Sequence, residues 1–402
     1  MRVLAPSFLF FACSMPSLTA QTVRIVPDHF PTIDAAIQAA APGDVVHVRT
    51  QPTPYPPFTI DRPVAIVGSA IDGQAPTVGV AAGAAITVNL QPGQRASVTR
   101  IDAAPTSGAT LTKAVVANGG HLTLEDCRFL AGHDPAGNTG LAGVDVTDTD
   151  LVLLFTRIEG GTAAAALRAT TSRVSLVSSR CFGANPNGAG VVVQDSTLHG
   201  NDAWLLGGEN FLNAAGGPAL VVGGASQVWL TDSTVRSGMG SPAGSAIVNS
   251  TATPVELRAT VPTLALSFGG ATPPPVVVGP TVVNPNLLRL RWSEQLYRRG
   301  TLRLGQPWFV HTTGPANTPV LLAFSFAPSA TAALVTRQPA LLPGDVAAMF
   351  LLLTDPSGTA SFGGSVPNTA ALVGAGLWAQ SIAGTGLPFE ASPFAGAVVR
   401  PY

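Results

Sequence analysis

Charge is scarce in this chain. Asp, Glu, Lys and Arg make up 11% of its 402 residues and the net charge is -1, where globular domains usually carry roughly a quarter charged residues. So weak a field has nothing to draw in polymeric nucleic acid, and DNA and RNA drop out as partners. Lysine is reduced to Lys113, which narrows any mechanism that needs a lysine base. Long apolar runs are missing too. Gly, Pro, Ser and Thr interrupt every stretch after the N-terminus, so no segment is long enough to span a bilayer. The six histidines are scattered without metal-ligand spacing; neither a metal nor another cofactor is expected.

What is abundant is punctuation: 43 Gly and 35 Pro, the mark of many short strands joined by turns. Ahead of them, "MRVLAPSFLFFACSMPSLTA" has Arg2, an apolar run from Val3 to Ala12 and small residues before a cut after Ala20, the pattern of a secretory signal peptide over residues 1–20. The mature chain is expected outside the cytoplasm, secreted or at the cell surface.

The middle of the chain repeats. Leu122, Leu151, Val174, Leu198 and Val228 fall in one column at intervals of 29, 23, 24 and 30 residues, which Val98 and Val255 extend. Seven residues further on stand Phe129, Ile158, Cys181, Leu205 and Val235; seven before stand Val115, Val144, Leu167, Val191, Val221 and Val248. Each unit is a set of short strands with apolar residues at period 2. A unit this small cannot bury its own apolar face, so units must stack, like residue above like, into a parallel β-solenoid.

One stretch breaks the pattern. In "FPTIDAAIQAAAPGDVVHV", Ile33, Ile37 and Ala40 recur at helical spacing, Thr32 is placed to cap the start and Pro42-Gly43 ends the run. The first coil of a solenoid exposes apolar core and unpaired strand edge, and a short amphipathic helix is a suitable cover. With its surroundings, "VPDHFPTIDAAIQAAAPGDVVHV" and then "YPPFTIDRPVAIVGS", this stretch resembles the opening of pectin-lyase-like right-handed parallel β-helix proteins. The resemblance implies an all-β chain with a right-handed parallel β-helix over residues 21–268, including the N-terminal capping helix. A Pro-rich linker follows at 269–285, where "PPP" stiffens the chain. Strand runs without the solenoid columns read as a small β-sandwich over 286–402, similar to a C-terminal domain found on assorted secreted bacterial proteins.

Enzymes of that family suggest where chemistry would sit. "VVVQDSTL" resembles the Q-D-T-L segment of pectin methylesterases through Gln194 and Asp195, but the second aspartate expected a coil later is missing around Gly216 and Gly217. In "LGQPW", Leu304 to Trp308, glutamine replaces the arginine of the esterase's L-G-R-P-W. Polygalacturonase-type hydrolysis needs clustered aspartates, for which Asp145, Asp148, Asp150, His199 and Asp202 are the available groups, without the family's G-H-G and R-I-K segments. Calcium-dependent lyases need a carboxylate cluster, and the turn column of Asp126, Asp202 and Asp232 is interrupted by Phe155 and Ser178.

A third column stands out. Six past the reference position come Arg128, Arg157 and Arg180 on successive coils, then Trp204. Coils stack about 4.8 Å apart, so three guanidinium groups would stand in file on the outer surface, where like charges repel unless an anion lies between them. One reading is a file that binds the carboxylates or sulfates of an acidic polysaccharide or cell-surface glycan, with Trp204 as a stacking platform for a sugar ring. The other is a solvated edge beside a turn, neutralised locally by Glu125, Asp126 or Glu159.

Cys13 leaves with the signal peptide, while Cys127 and Cys181 fall in different columns two coils apart, roughly 10 Å and beyond disulfide reach. Two functions remain: a non-catalytic surface or matrix protein that binds glycan through the β-helix, or a polysaccharide lyase or esterase working outside the coils. The missing catalytic set favours the first.

Overall fold

The structure is a computed structural model. It describes residues 22–69, 74–106, 112–132, 140–210, 215–258, 260–265, 274–283, 289–292, 301–325, 330–332, 339–341, 346–368, 376–383, 390–391 and 395–400. The segment expected to be a signal peptide lies outside them.

The chain winds into a parallel β-solenoid of about nine turns. Its three sheets have 11, 8 and 9 strands, termed here A, B and C. One coil runs from Val144–Thr147 in sheet C through Asp150–Leu154 in A to Arg157–Glu159 in B. Leu122, Leu151, Val174, Leu198 and Val228 are register partners from coil to coil and are at most 2% exposed. Phe129, Ile158, Cys181, Leu205 and Val235 align likewise in sheet B at 0% exposure. Period-2 alternation thus delivers one continuous apolar core.

Two columns differ from the sequence expectation. Leu122 pairs with Ala96, not with Val98, which pairs with Leu124. In sheet C, Val191 pairs with Leu220 and Leu220 with Ile247, so Val221 and Val248 face outward. The cause is one extra residue in the corner at Gly224-Ala225; a one-residue slip sends every side chain to the opposite face.

Most corners from C to A and from A to B in the middle coils are built from two residues. Asp148, Thr171 and Asp195 between C and A, and Arg100, Asp126, Phe155, Ser178, Asp202 and Asp232 between A and B, all have φ between 46° and 54°. Asp and Asn tolerate that left-handed conformation best, which accounts for the aspartates in the turn columns. The residue after each is buried and, except for Ile101 after Arg100, small; its hydroxyl often links coils. Between C and A, Thr149 N–H donates to Ser172 Oγ, Ser172 N–H to Ser196 Oγ and Ser196 N–H to Ser226 Oγ, at 3.0–3.1 Å. The corner between A and B repeats this through Thr156, Ser179, Ser233 and Thr260.

From B back to C the chain uses glycine. The N–H of Gly208 donates to Gly188, that of Gly217 to Gly208 and that of Gly238 to Gly217, at 2.7–2.8 Å. Backbones pack so closely that a Cβ on Gly208 would lie 1.9 Å from the Ala184 carbonyl oxygen.

The helix spans Ile33–Ala39, with Thr32 Oγ1 accepting the Ala35 N–H at 3.1 Å. Ile33, Ala36 and Ile37 are fully buried in the core shared with the coils. Asp44 of the Pro-Gly-Asp turn accepts N–H bonds from Thr22 and Ala41 and pairs with Arg24 at 3.0 Å. Burial alone would raise its pKa, but these partners together hold it below the ordinary carboxylate value.

Within the proline-rich stretch, Val277–Val278 and Thr281–Val283 pair as the last rungs of sheets C and A. Beyond them, among the described residues, are three further sheets: D, E and a two-stranded pair of Ala330–Ala332 with Pro339–Leu341. Sheet D joins Arg289–Trp292, Pro307–Thr313 and Thr359–Ser365. Sheet E runs Thr301–Arg303, Ala395–Arg400, Gly376–Ala383, Pro319–Ser325, Val346–Leu353, with Glu390–Ala391 alongside Gly376–Ala383. All its pairs are antiparallel save Thr301–Arg303 with Ala395–Arg400. Sheets D and E share a core of Val310, Leu322, Phe324 and Phe362. Sheet E also folds back on the solenoid: Trp378, 1% exposed, packs with Val152, Leu154 and Val177 on the outer face of sheet A, against Phe155. Among the described residues, no helix is long and apolar enough to cross a membrane.

Candidate functional site

The outer face of sheet B collects the chain's unusual charges. Strands Arg128–Leu130, Arg157–Glu159, Arg180–Phe182 and Trp204–Leu206 each put their middle residue into the core and their first outward. Arg128, Arg157, Arg180 and Trp204 are successive register partners, so the expected file exists as an aligned row. Their side chains are open to solvent: Arg128 is 54% exposed, Arg157 45% and Trp204 42%.

Two devices hold the row together. Glu159, outward in the next column, lies 2.7 Å from Arg157 Nε and 3.7 Å from Arg128, so one carboxylate serves two guanidinium groups. Aromatic rings supply the rest. The Arg157 guanidinium sits 4.7 Å from the centroid of the Phe182 ring, and that of Arg180 sits 4.8 Å from the Trp204 ring. Each arginine thus rests on an aromatic residue of the following coil, an attraction worth about 0.5–1 kcal/mol at exposed sites. Arg180 has no carboxylate partner among the described residues. Trp204 therefore presents one face to Arg180.

Before Arg128 the row continues with Asp102, its register partner, whose carboxylate accepts the Arg128 N–H at 2.9 Å. Burial raises the pKa of Asp102, against the pull of that N–H and of the Arg128 charge. Here the face opens into a groove of about 650 Å³, lined by Gln74, Thr77, Arg100, Asp102, Asp126, Arg128, Phe155 and Arg157, with Ala75 and Cys127 completing the wall. Arg100 pairs with Asp126 at 3.3 Å. Sequence reading misses Arg100 and Asp102 because the slip between Val98 and Ala96 shifts their coil by two residues; with Ala96 as reference, Asp102 falls six past it and joins the column.

The aspartates weighed for catalysis do not converge. Asp195 is a corner residue that accepts the Ala225 N–H at 2.8 Å and the Gln194 amide at 3.0 Å, bonds that lower its pKa. Asp202 accepts the Ser178 hydroxyl at 3.0 Å. The two sit at opposite ends of strand Thr197–Asn201, roughly 20 Å apart at about 3.3 Å per residue. Asp145 pairs with Lys113, and Asp150 with Arg173, each at 2.5 Å; Asp148 accepts the Thr171 hydroxyl. His199 stacks on Trp229 at 4.9 Å under heavy cover, and burial pushes its pKa down to about 4, leaving it neutral. Cys127 and Cys181 are both buried, the Cys127 thiol donating to the Glu125 carbonyl at 3.2 Å, and burial pushes the Cys181 thiol up to about 12. No cluster of His, Cys, Asp and Glu among the described residues could hold a metal ion.

No protein-family model matches the chain, and no curated protein matches it.

Proposed function

We propose that this is a secreted, non-catalytic surface or matrix protein that binds an acidic polysaccharide along the outer face of sheet B. On this reading the coils are right-handed and pectin-lyase-like, and the helix Ile33–Ala39 covers the first of them. One observation carries the binding proposal: Arg128, Arg157 and Arg180 stand in register beside an open groove, with Glu159 as the one carboxylate shared by Arg128 and Arg157. A row of cations with so little neutralisation favours a ligand that brings its own anions at repeated intervals. Stacking on Phe182 and Trp204 pre-orients two of the guanidinium groups, and Arg180, with no carboxylate partner among the described residues, keeps its N–H edges for bidentate carboxylate or sulfate recognition.

A second reading, turnover by a lyase or esterase, is favoured by Asp102 alone, a partly buried carboxylate with a raised pKa inside the same groove.

The test is retention of the protein on uronate and sulfated polymers. The parent is expected to bind, with an affinity that falls steeply with salt. Changing Arg128, Arg157 and Arg180 together to Gln abolishes binding while thermal stability barely moves, since exposed charges contribute about 0–1 kcal/mol each. Trp204→Ala weakens binding to acidic chains by freeing the Arg180 side chain. A parent that retains no glycan, or a triple variant that retains as much, overturns the proposal. Unsaturated or de-esterified products would replace it with the turnover reading.

A further inference from the structure

The groove at the head of the arginine row differs in chemistry from the row itself. In sheet B the outward column starts at Thr77, whose register partner is Asp102, and Asp102 in turn is the partner of Arg128. Read along the coils, about 4.8 Å apart, the column is hydroxyl, carboxylate, then three guanidinium groups. The surplus of cations ends at Arg128, because Arg100 in the groove wall is paired with Asp126 at 3.3 Å.

Asp102 is only half used. Its Oδ1 accepts the Arg128 N–H at 2.9 Å, and among the described residues its carboxylate closes no ion pair, so the second oxygen is left for the groove. The Gln74 amide and the Thr77 hydroxyl line the same groove, and neither side chain has a hydrogen-bond partner among the described residues. Phe155 supplies an aromatic wall. The space they enclose, about 650 Å³, falls in the range of roughly 300–1,000 Å³ usual for small-molecule sites. An ionised carboxylate only accepts hydrogen bonds, an amide both donates and accepts, and a threonine hydroxyl does either. This set suits the hydroxyls of a sugar ring, whose C–H face can lie on an aromatic side chain. It does not suit an anion, which would meet the Asp102 charge at close range.

We propose that the groove is a subsite for an uncharged sugar unit adjoining the anionic units held by Arg128, Arg157 and Arg180, with Asp102 as the residue that sets this order. The inference rests on the binding of an acidic polysaccharide along sheet B proposed above and narrows its ligand class. Asp102 accepts from hydroxyls on neighbouring ring carbons and repels a carboxylate or sulfate in the same place, while Gln74 and Thr77 pair with further hydroxyls. The ligand is then a polymer whose charged units come in short runs broken by neutral ones, and a uniformly charged chain must leave the groove empty or bear the repulsion.

Affinity is measured on polygalacturonate at graded methyl-esterification and on dextran at graded sulfation, each a single backbone in which neutral units replace charged ones. On whichever backbone it retains, the parent is expected to bind most tightly at an intermediate charge density. Asp102→Asn keeps an acceptor for the Arg128 N–H and removes the charge; it should move the optimum to the most highly charged polymer, changing the preference between the two by about tenfold. Thr77→Val with Gln74→Ala should weaken binding to the intermediate polymer and leave the most highly charged one unaffected, which separates hydroxyl recognition from charge. Circular dichroism and melting check that the variants keep the fold. A parent whose affinity climbs with every added charge, or an Asp102→Asn variant that shifts all polymers equally or none, overturns the subsite and leaves the arginine row standing. A parent that retains no acidic polymer overturns the row and the subsite together.

Discussion

At Ala203 the hydroxyl ladder between sheets A and B loses a rung. Thr156 N–H donates to Ser179 Oγ at 3.2 Å, and Ala203 N–H to Ser233 Oγ at 3.2 Å, but position 203 has no hydroxyl for the N–H of the coil before it. Ser179 is fully buried, and its N–H has no acceptor among the described residues. The other rungs also donate their hydroxyl to the carbonyl two residues back, as Ser179 does to Val177 and Ser233 to Thr231. Ala203→Ser would do both, accepting from Ser179 and donating to Asn201. We expect it to stabilise the protein by about 1 kcal/mol, seen as a higher midpoint in denaturant unfolding. Replacing Ala142, buried but off the ladder, by Ser serves as the control and should show no gain. Sequence columns reveal the ladder only in part: Ser and Thr recur at the corners, yet nothing in their spacing distinguishes a buried hydroxyl from a solvated turn.

Strands and corners differ in how far they can be read in advance. The inward strand positions are legible because burial at period 2 leaves a long file of Leu, Val and Ile that survives varied loop lengths. The slips at Ala96 and Leu220 mark the limit, since a shift of two keeps the inward face and a corner longer by one residue leaves no trace in apolar content. The returns from B to C are the opposite case. Glycine recurs there because coils touch backbone to backbone, not because the loops are loose. Gly208→Ala, whose Cβ would fall 1.9 Å from the Ala184 oxygen, should therefore cost about 1–3 kcal/mol. Gly93→Ala, at a positive φ with open space around it, should cost less, about 1 kcal/mol of backbone strain. Comparing the two variants by thermal melting separates close packing from conformational preference. The arginine row is legible for the same reason as the core: it keeps the coil period. The groove beside it is not, because Asp102 and Arg100 enter through the shifted coil.

For the whole molecule, the decisive contact is the one between sheet E and the solenoid. Val152, Leu154 and Val177 lie on the outside of sheet A, where coil after coil should face water, and they are buried in one cluster with Trp378. No period in the sequence announces this, since outward residues obey no column and the partner is distant in the chain. Trp378→Ala should remove about 3–5 kcal/mol of packing, increase dye binding to the newly bared apolar face and make the C-terminal sheets more open to protease. Glycan retention at sheet B should be largely unchanged, because the row Arg128, Arg157 and Arg180 takes no part in the contact and only Phe155 is shared with the groove. The contact also sets a clock. About 200 residues must follow Val177 before Trp378 exists, so at the usual pace of about 5–20 residues per second the patch stays bare for roughly 10 to 40 s of every synthesis. A nascent chain of this protein is thus stickiest while its solenoid is already long enough to fold, and a ribosome that stalls before the last strands leaves that patch without its cover.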